Sequence, residues 1–88
     1  MTPQEDFTLP FYEQVLDFLA SGPSARQIVN YRPPDGVQRR FSELLEANRQ
    51  RALTLQEEEE LDHNIRMDRM LSLLKVKAAG RRWSWQNG

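Results

Sequence analysis

Residues 54–77, TLQEEEELDHNIRMDRMLSLLKVK, decide the fold because they carry the start and end signals of one long helix. Thr54 and Glu57 form a capping box, in which the hydroxyl accepts from the Glu57 backbone N–H and the carboxylate reaches back to the N–H of Thr54. The glutamate run suits the positive end of the helix dipole, and the lysines near the other end suit the negative end. We predict a helix over about 55–79, ended by Gly80.

This long helix is predicted to carry more than one apolar stripe, at 100° per residue. The main stripe holds His63, Met67, Met70, Leu71, Leu74 and Ala78. A weaker stripe on the opposite side holds Leu61, Ile65 and Val76, and Leu73 projects in a third direction. One stripe can pack on the rest of the protein. The other apolar residues are covered either by the protein's own elements or by a second chain, since exposed stripes often mark interaction surfaces.

Shorter helices are predicted before the long one, because apolar residues recur at spacings of three and four and no window alternates like a strand. The first is expected over about 9–21, with Thr8 as its N-cap and Gly22 as its stop. The second follows a further capping box, formed by Ser24 and Gln27.

The second helix must end near residue 31, because Pro33 disfavours the helical conformation of the residue before it. Asp35 is the expected cap of a third helix, whose apolar stripe holds Val37, Phe41, Leu44, Leu45 and Asn48. The predicted fold is all-α, with three shorter helices over about 9–21, 25–31 and 36–51 packed on one long C-terminal helix over about 55–79. The expected organisation is a flexible N-terminus over 1–8, a single helical domain over 9–79 and a basic aromatic tail over 80–88.

Composition limits what else can hold so small a fold together. The 88 residues include no cysteine, which excludes disulfides and thiolate metal sites. A chain of this size buries only about 60 to 65% of its unfolded surface, so oligomerisation or a bound partner is a further source of stability. The acidic N-terminus does not resemble a signal peptide, and no run reaches the roughly 18 apolar residues of a membrane span. We expect a cytoplasmic protein with no membrane partner.

Charge is distributed unevenly along the chain. All thirteen acidic residues lie at or before Asp68, whereas five cations follow it, namely Arg69, Lys75, Lys77, Arg81 and Arg82. An acidic body with a basic end is typical of a partner-binding protein. The overall charge of −1 argues against indiscriminate nucleic-acid binding, which needs many phosphate-neutralising cations on one surface.

No set of residues predicts catalysis, a metal site or a cofactor. His63 is the only histidine, and its neighbours Asp62 and Asn64 point about 100° away from it on a helix. Glu59 together with His63 would supply only two metal ligands. No nucleophile triad or phosphate-binding glycine loop can be assembled. We expect neither an enzyme nor a cofactor, and we interpret the glutamate run as a solvated helix start.

The tail is the second unusual feature, because Trp83 and Trp85 each carry about 200 Å² of surface that water disfavours. The two rings could fold back onto the domain, anchor in a pocket of a partner protein, or stack on nucleic-acid bases. An extended tail would place both rings on one side, which suits a groove. The predicted partner-binding residues are Met67, Met70, Leu71, Leu74, Lys75, Lys77, Arg81, Arg82, Trp83 and Trp85.

Three segments resemble a group of short, mostly uncharacterised bacterial proteins that is common in cyanobacteria. These segments are FSELLEANR over 41–49, LTLQEEEELD over 53–62 and MLSLLKVKA over 70–78, and residues 9–32 are similar to the same group. Some of its members are regarded as antitoxin-like partners of PIN-domain ribonuclease toxins. Antitoxins of this type often begin with a ribbon-helix-helix or another DNA-binding segment, whereas here no strand is predicted before the first helix. The tail beyond Gly80 lies outside the resemblance.

The resemblance and the basic end together lead to a functional hypothesis. We expect a non-enzymatic protein–protein interaction module, with an antitoxin-like inhibitor of a toxin nuclease as its narrower form. The cations of the C-terminal region would pair with the acidic residues that a metal-dependent nuclease needs, while the tryptophans anchor nearby. Two alternatives remain, a nucleic-acid-binding regulator that uses the same tail and a structural subunit that dimerises through the long helix.

Overall fold

The structure is a computed structural model that describes residues 9–87, with the backbone alone described over 81–87. The N-terminal segment 1–8, expected to be flexible, lies outside the described residues. Within this part of the chain there are four helices and no strand, namely α1 (Phe11–Ala20), α2 (Ala25–Asn30), α3 (Asp35–Gln50) and α4 (Leu55–Asn87). The prediction of an all-α protein with three shorter helices packed on a long one is confirmed.

The start of α1 depends on a residue of α4. The predicted cap, Thr8, lies outside the described residues, and Pro10 occupies the N-cap position with no side-chain hydrogen bond. The backbone N–H of Tyr12 instead donates to Oδ1 of Asn64 at 3.1 Å. Gly22 ends the helix as predicted, with a φ of 74° that suits glycine, and its N–H donates to the carbonyl of Leu19 at 3.2 Å.

The predicted capping box at the start of α2 is confirmed. The N–H of Gln27 donates to Oγ of Ser24 at 3.1 Å, and the N–H of Ser24 donates to Oε1 of Gln27 at 2.8 Å. The prediction for α3 was wrong by one position, because Pro34 is the N-cap residue and Asp35 is the first helical residue. Its carboxylate lies in the first turn, where the helix dipole still favours a negative charge.

The capping box of α4 is also confirmed, with the N–H of Glu57 donating to Oγ1 of Thr54 at 3.1 Å and the reverse bond at 2.9 Å. The predicted long helix over about 55–79 is confirmed, and its backbone continues past Gly80 to Asn87. Among the described glycines only Gly22 has a positive φ, and an isolated helical glycine costs only about 1 kcal/mol relative to alanine.

The core lies where α1, α3 and α4 meet. Its buried residues are Phe11, Val15, Val37 and Leu71, and the partly buried residues around them are Leu19, Tyr31, Phe41 and Met67. The rings of Phe11 and Phe41 lie 4.9 Å apart, centroid to centroid, in a tilted arrangement. The apolar stripe of α3 is narrower than predicted, because Leu45 and Asn48 are exposed.

The buried face of α4 is rotated from the predicted one. Its buried residues are Leu61, Asn64, Leu71 and Ala78. Leu61 was assigned to the opposite side, and two residues of the predicted main stripe, His63 and Met70, are exposed. Asn64 contributes to this rotation, because its bond to the start of α1 holds it facing inward alongside the buried Leu61 and Leu71. A stripe drawn from apolar residues alone leaves this polar residue out.

Candidate partner-binding surface

The predicted partner-binding residues fall on different sides of α4. Leu71 belongs to the core, and Met67 is half-buried and packs against it, so the fold uses these two side chains itself. Leu74 is half-buried, whereas Met70 and Lys77 are exposed. The side chains of Arg81, Arg82, Trp83 and Trp85 lie outside the described residues, and only their helical backbone is described.

Lys75 has a structural contact that its charge alone did not predict. It is half-buried, and its Nζ donates to the carbonyl of Tyr31 at 2.8 Å, at the C-terminal cap of α2. The ring of Tyr31 in turn stacks on Phe18 of α1, with centroids 4.1 Å apart. Burial raises the pKa of the Tyr31 hydroxyl. Lys75 therefore ties α4 to α2 and is less free for a partner than Lys77.

Among the described side chains of α4, Met70, Leu73 and Val76 form an exposed apolar row that we call the outer stripe. Their exposed fractions are 52%, 66% and 69%, respectively. Side chains three apart on a helix are neighbours, so the three form a continuous row. The row points away from the face that holds Asn64 and Leu71. Leu73 and Val76 were not among the predicted site residues, although the correct helical phase would have identified them.

Cations surround the outer stripe. Arg66, Arg69 and Lys77 are exposed and lie within one or two helical turns of Leu73 on the same side of α4. Arg66 pairs with Asp62, Nε to Oδ2, at 3.3 Å. Among the described side chains, no carboxylate lies within salt-bridge distance of Arg69 or Lys77. The surface is thus apolar along its centre and positive at its edges.

A shallow groove of about 260 Å³ lies on the opposite, core-facing side of α4. Phe11, Phe41 and Leu71 contribute its apolar lining, while Asp68 and Lys75 contribute the charges. Asp68 is the last carboxylate of the sequence and belongs to this groove. It is therefore on the wrong side of the helix to neutralise the edges of the outer stripe.

A second groove, of about 400 Å³, lies between the starts of α1 and α4. Its lining residues are Pro10, Tyr12, Arg40, Gln56, Glu57, Glu59, Glu60 and His63. Arg40 binds Glu60 through both carboxylate oxygens, at 3.1 and 2.9 Å. The ring of His63 lies against that of Tyr12, with centroids 4.8 Å apart. The charges of this groove are thus largely used within the protein.

Glu57 is the most strongly perturbed carboxylate of the described part. Arg51 binds both its oxygens at 3.0 Å, and the N–H of Thr54 donates to the same side chain. The hydrogen bonds from Arg51, followed by that from the Thr54 backbone, lower the pKa of Glu57 to about 2. These contacts fix the turn between α3 and α4. They account for the first glutamate of the run as a structural residue.

The described residues bring together no group of three or more histidine, aspartate or glutamate side chains suited to a metal ion. None of the helices within 9–87 is both long enough and apolar enough to cross a membrane. Comparison with protein families, with curated proteins and with solved structures finds no match for this chain. The candidate site therefore rests on the geometry of α4, and it is a surface rather than a pocket.

Proposed function

We propose that this protein is a non-enzymatic interaction module that binds another protein through the outer stripe of α4. The observation that carries the proposal is the exposure of Met70, Leu73 and Val76 in one row on the longest helix. Large apolar side chains in a contiguous exposed row commonly mark a protein interface. A chain of 88 residues also gains stability when a partner binds its folded form.

Burial of the outer stripe can supply a useful share of a binding free energy. Covering the exposed part of each side chain is worth about 1 to 2 kcal/mol, since full burial of such residues contributes about 1.5 to 3 kcal/mol. Three such residues would form the centre of a small interface, and the flanking cations would form its polar rim. The basic, tryptophan-containing end of the chain lies on the same helix and extends the interface along its axis.

The narrower form of this proposal is an antitoxin-like inhibitor of a PIN-type nuclease. It is supported by the resemblance over residues 9–78 and by the five cations that follow Asp68. A metal-dependent nuclease presents clustered carboxylates, and Lys77 with the arginines beyond Gly80 offers complementary charge. Lys75 contributes less, because it already binds the Tyr31 carbonyl.

Comparative affinity capture from the native host tests the broader proposal. The bait proteins are the unaltered chain, Leu73→Gln, and Leu55→Gln as a matched control. Leu55 is 72% exposed and lies on the same helix, but far from the outer stripe. The expected result is one partner that is retained by the unaltered chain and by Leu55→Gln and is lost with Leu73→Gln. Equal capture by all three baits would contradict a role for the outer stripe.

The narrower form requires a separate assay with a purified PIN-domain nuclease from the same host. The unaltered chain should suppress RNA cleavage at equimolar concentration, and Leu73→Gln should need about tenfold more protein for the same effect. If the captured partner has no nuclease activity, the antitoxin-like form is wrong while the interaction module stands.

A further inference from the structure

We infer that the surface which covers the outer stripe is an acidic amphipathic helix of the partner protein. This inference rests on the proposed function and specifies the partner's chemistry. It starts from the spacing of the exposed residues, because Arg66, Met70, Leu73 and Lys77 follow one another at intervals of four, three and four. Intervals of three and four are those by which one helix packs along another, and here Met70 and Leu73 form an apolar centre with a cation at each end.

The charges along this seam indicate that the partner surface is negatively charged. Arg69 and Lys77 flank Leu73 and have no carboxylate partner among the described side chains. Asp62 neutralises Arg66 at one end of the seam and Asp68 lines the groove on the core-facing side, so Arg69 and Lys77 carry the positive charge that a partner would meet. A partner helix with apolar residues at its centre and glutamate or aspartate on its flanks would complement the centre and the edges together.

A second copy of this chain fits the seam poorly when its α4 pairs antiparallel about Leu73. Antiparallel pairing of two α4 helices about Leu73 would place Met70 of one copy opposite Val76 of the other, which buries apolar surface well. The same register would set Arg69 of each copy against Lys77 of the other. Like charges opposed across a helix pair reduce stability and select against that pairing. The seam therefore favours a different chain with the opposite charge.

Anionic lipid and nucleic acid fit the surface less well than an acidic helix does. A nucleic-acid backbone would use Arg69 and Lys77 but would leave the apolar centre without a partner. A bilayer surface would use the apolar centre and the cations, but it is flat and extends along the whole of α4, so Glu59 and Asp62 on the same side would approach its negative headgroups. A partner helix that crosses α4 over residues 69–77 would not reach those two carboxylates.

Designed peptides test the inference with the full-length protein. Two helical peptides of about three heptads share one leucine seam and differ only in their flanking residues, glutamate in one and lysine in the other. Fluorescence anisotropy measures their affinities for the unaltered chain, for Leu73→Gln, and for the double variant Arg69→Glu with Lys77→Glu. Phosphatidylglycerol vesicles and a short DNA duplex serve as competing probes. Circular dichroism confirms that each variant keeps its helical content.

The acidic peptide should bind the unaltered chain roughly tenfold more tightly than the basic one. The charge-reversed double variant should invert this preference, and Leu73→Gln should weaken both peptides. Equal affinities, no binding of either peptide, or tighter binding to vesicles or DNA would each overturn the inference. The two proposals can fail separately. If Leu73→Gln no longer captures the native partner but the two peptides bind with equal affinity, the proposed function stands and the inference of an acidic partner helix is wrong.

Discussion

The side-chain oxygen of Asn64 accepts a hydrogen bond from the backbone N–H of Tyr12 at 3.1 Å, so the long helix α4 caps the start of α1. Asn64 is fully buried, and its Nδ2 has no partner among the described residues. Leaving the Nδ2 of a buried amide without a partner is unfavourable, but the hydrogen bond to the Oδ1 offsets this because it satisfies a backbone N–H at the start of a helix. This contact, together with the burial of Leu61 and Leu71, favours the rotation of α4 that leaves the outer stripe exposed.

Replacing Asn64 by alanine should lower the free energy of unfolding by about 2 kcal/mol, because a helix N–H loses its acceptor and a small cavity forms. Urea denaturation followed by circular dichroism measures the change. Asn48→Ala is the matched control, since Asn48 is exposed on α3 and should change the stability by less than about 0.5 kcal/mol. Equal effects of the two substitutions would show that the Tyr12 contact contributes nothing.

The two leucines at positions 71 and 73 should separate stability from binding. Leu71 is buried in the core, and its replacement by alanine should cost about 2 to 5 kcal/mol of unfolding free energy. Leu73 is 66% exposed, and the same replacement should cost less than about 1 kcal/mol. Thermal or urea unfolding of the two variants decides the point. A large decrease in the free energy of unfolding for Leu73→Ala would indicate that this residue is packed within the protein.

Glycine substitutions test whether α4 continues past residue 80. A Cβ at Gly80 meets nothing within 4 Å, and the backbone there is helical, so Gly80→Ala should stabilise the protein by about 0.5 to 1 kcal/mol. Gly22→Ala should destabilise it by about 1 kcal/mol, because the φ of 74° disfavours a side chain. Differential scanning calorimetry should therefore give melting shifts of opposite sign. If Gly80→Ala instead destabilised the protein, this would indicate that the helix ends at Gly80.

The Arg51–Glu57 pair predicts a defined pH dependence. Because the folded pKa of Glu57 is about 2 and its ordinary value is 4.5, its stabilising contribution is complete above about pH 4.5. The contribution is lost as the pH falls towards 2. Carboxyl carbon NMR titration should show the low pKa in the unaltered chain and a rise towards the ordinary value in Arg51→Gln. Arg49→Gln is the control, since Arg49 pairs with Glu46, and a shift of Glu57 there would contradict this assignment.

Local signals in the sequence predicted the elements of the fold well. Both capping boxes depend on side chains three residues apart, so Ser24 with Gln27 and Thr54 with Glu57 were predictable without knowledge of the tertiary fold. The end of α1 at Gly22 was equally predictable, because glycine readily adopts the positive φ that ends a helix, and the structure shows this conformation there. Gly80 gave the same local signal, yet the helical backbone continues past it to Asn87, since a glycine alone does not end a helix.

The candidate site was harder to predict because it depends on the rotation of α4. Apolar periodicity placed Met67, Leu71, Leu74 and Ala78 on the inward side, and the structure agrees. It also placed Met70 there and left Leu73 unassigned, because no local signal identifies the contact between residues 12 and 64. A pattern of apolar residues cannot assign a polar residue such as Asn64 to the buried face, so the predicted face of α4 was rotated.

The most direct test of the interaction proposal is the affinity of the captured native partner for the unaltered chain, Leu73→Gln and Leu55→Gln, measured by isothermal titration calorimetry. Removing one central apolar side chain should weaken binding about tenfold or more in Leu73→Gln, while the free energy of unfolding stays within about 1 kcal/mol. Leu55→Gln should bind like the unaltered chain. Equal affinities for Leu73→Gln and Leu55→Gln would contradict the outer stripe as the binding surface.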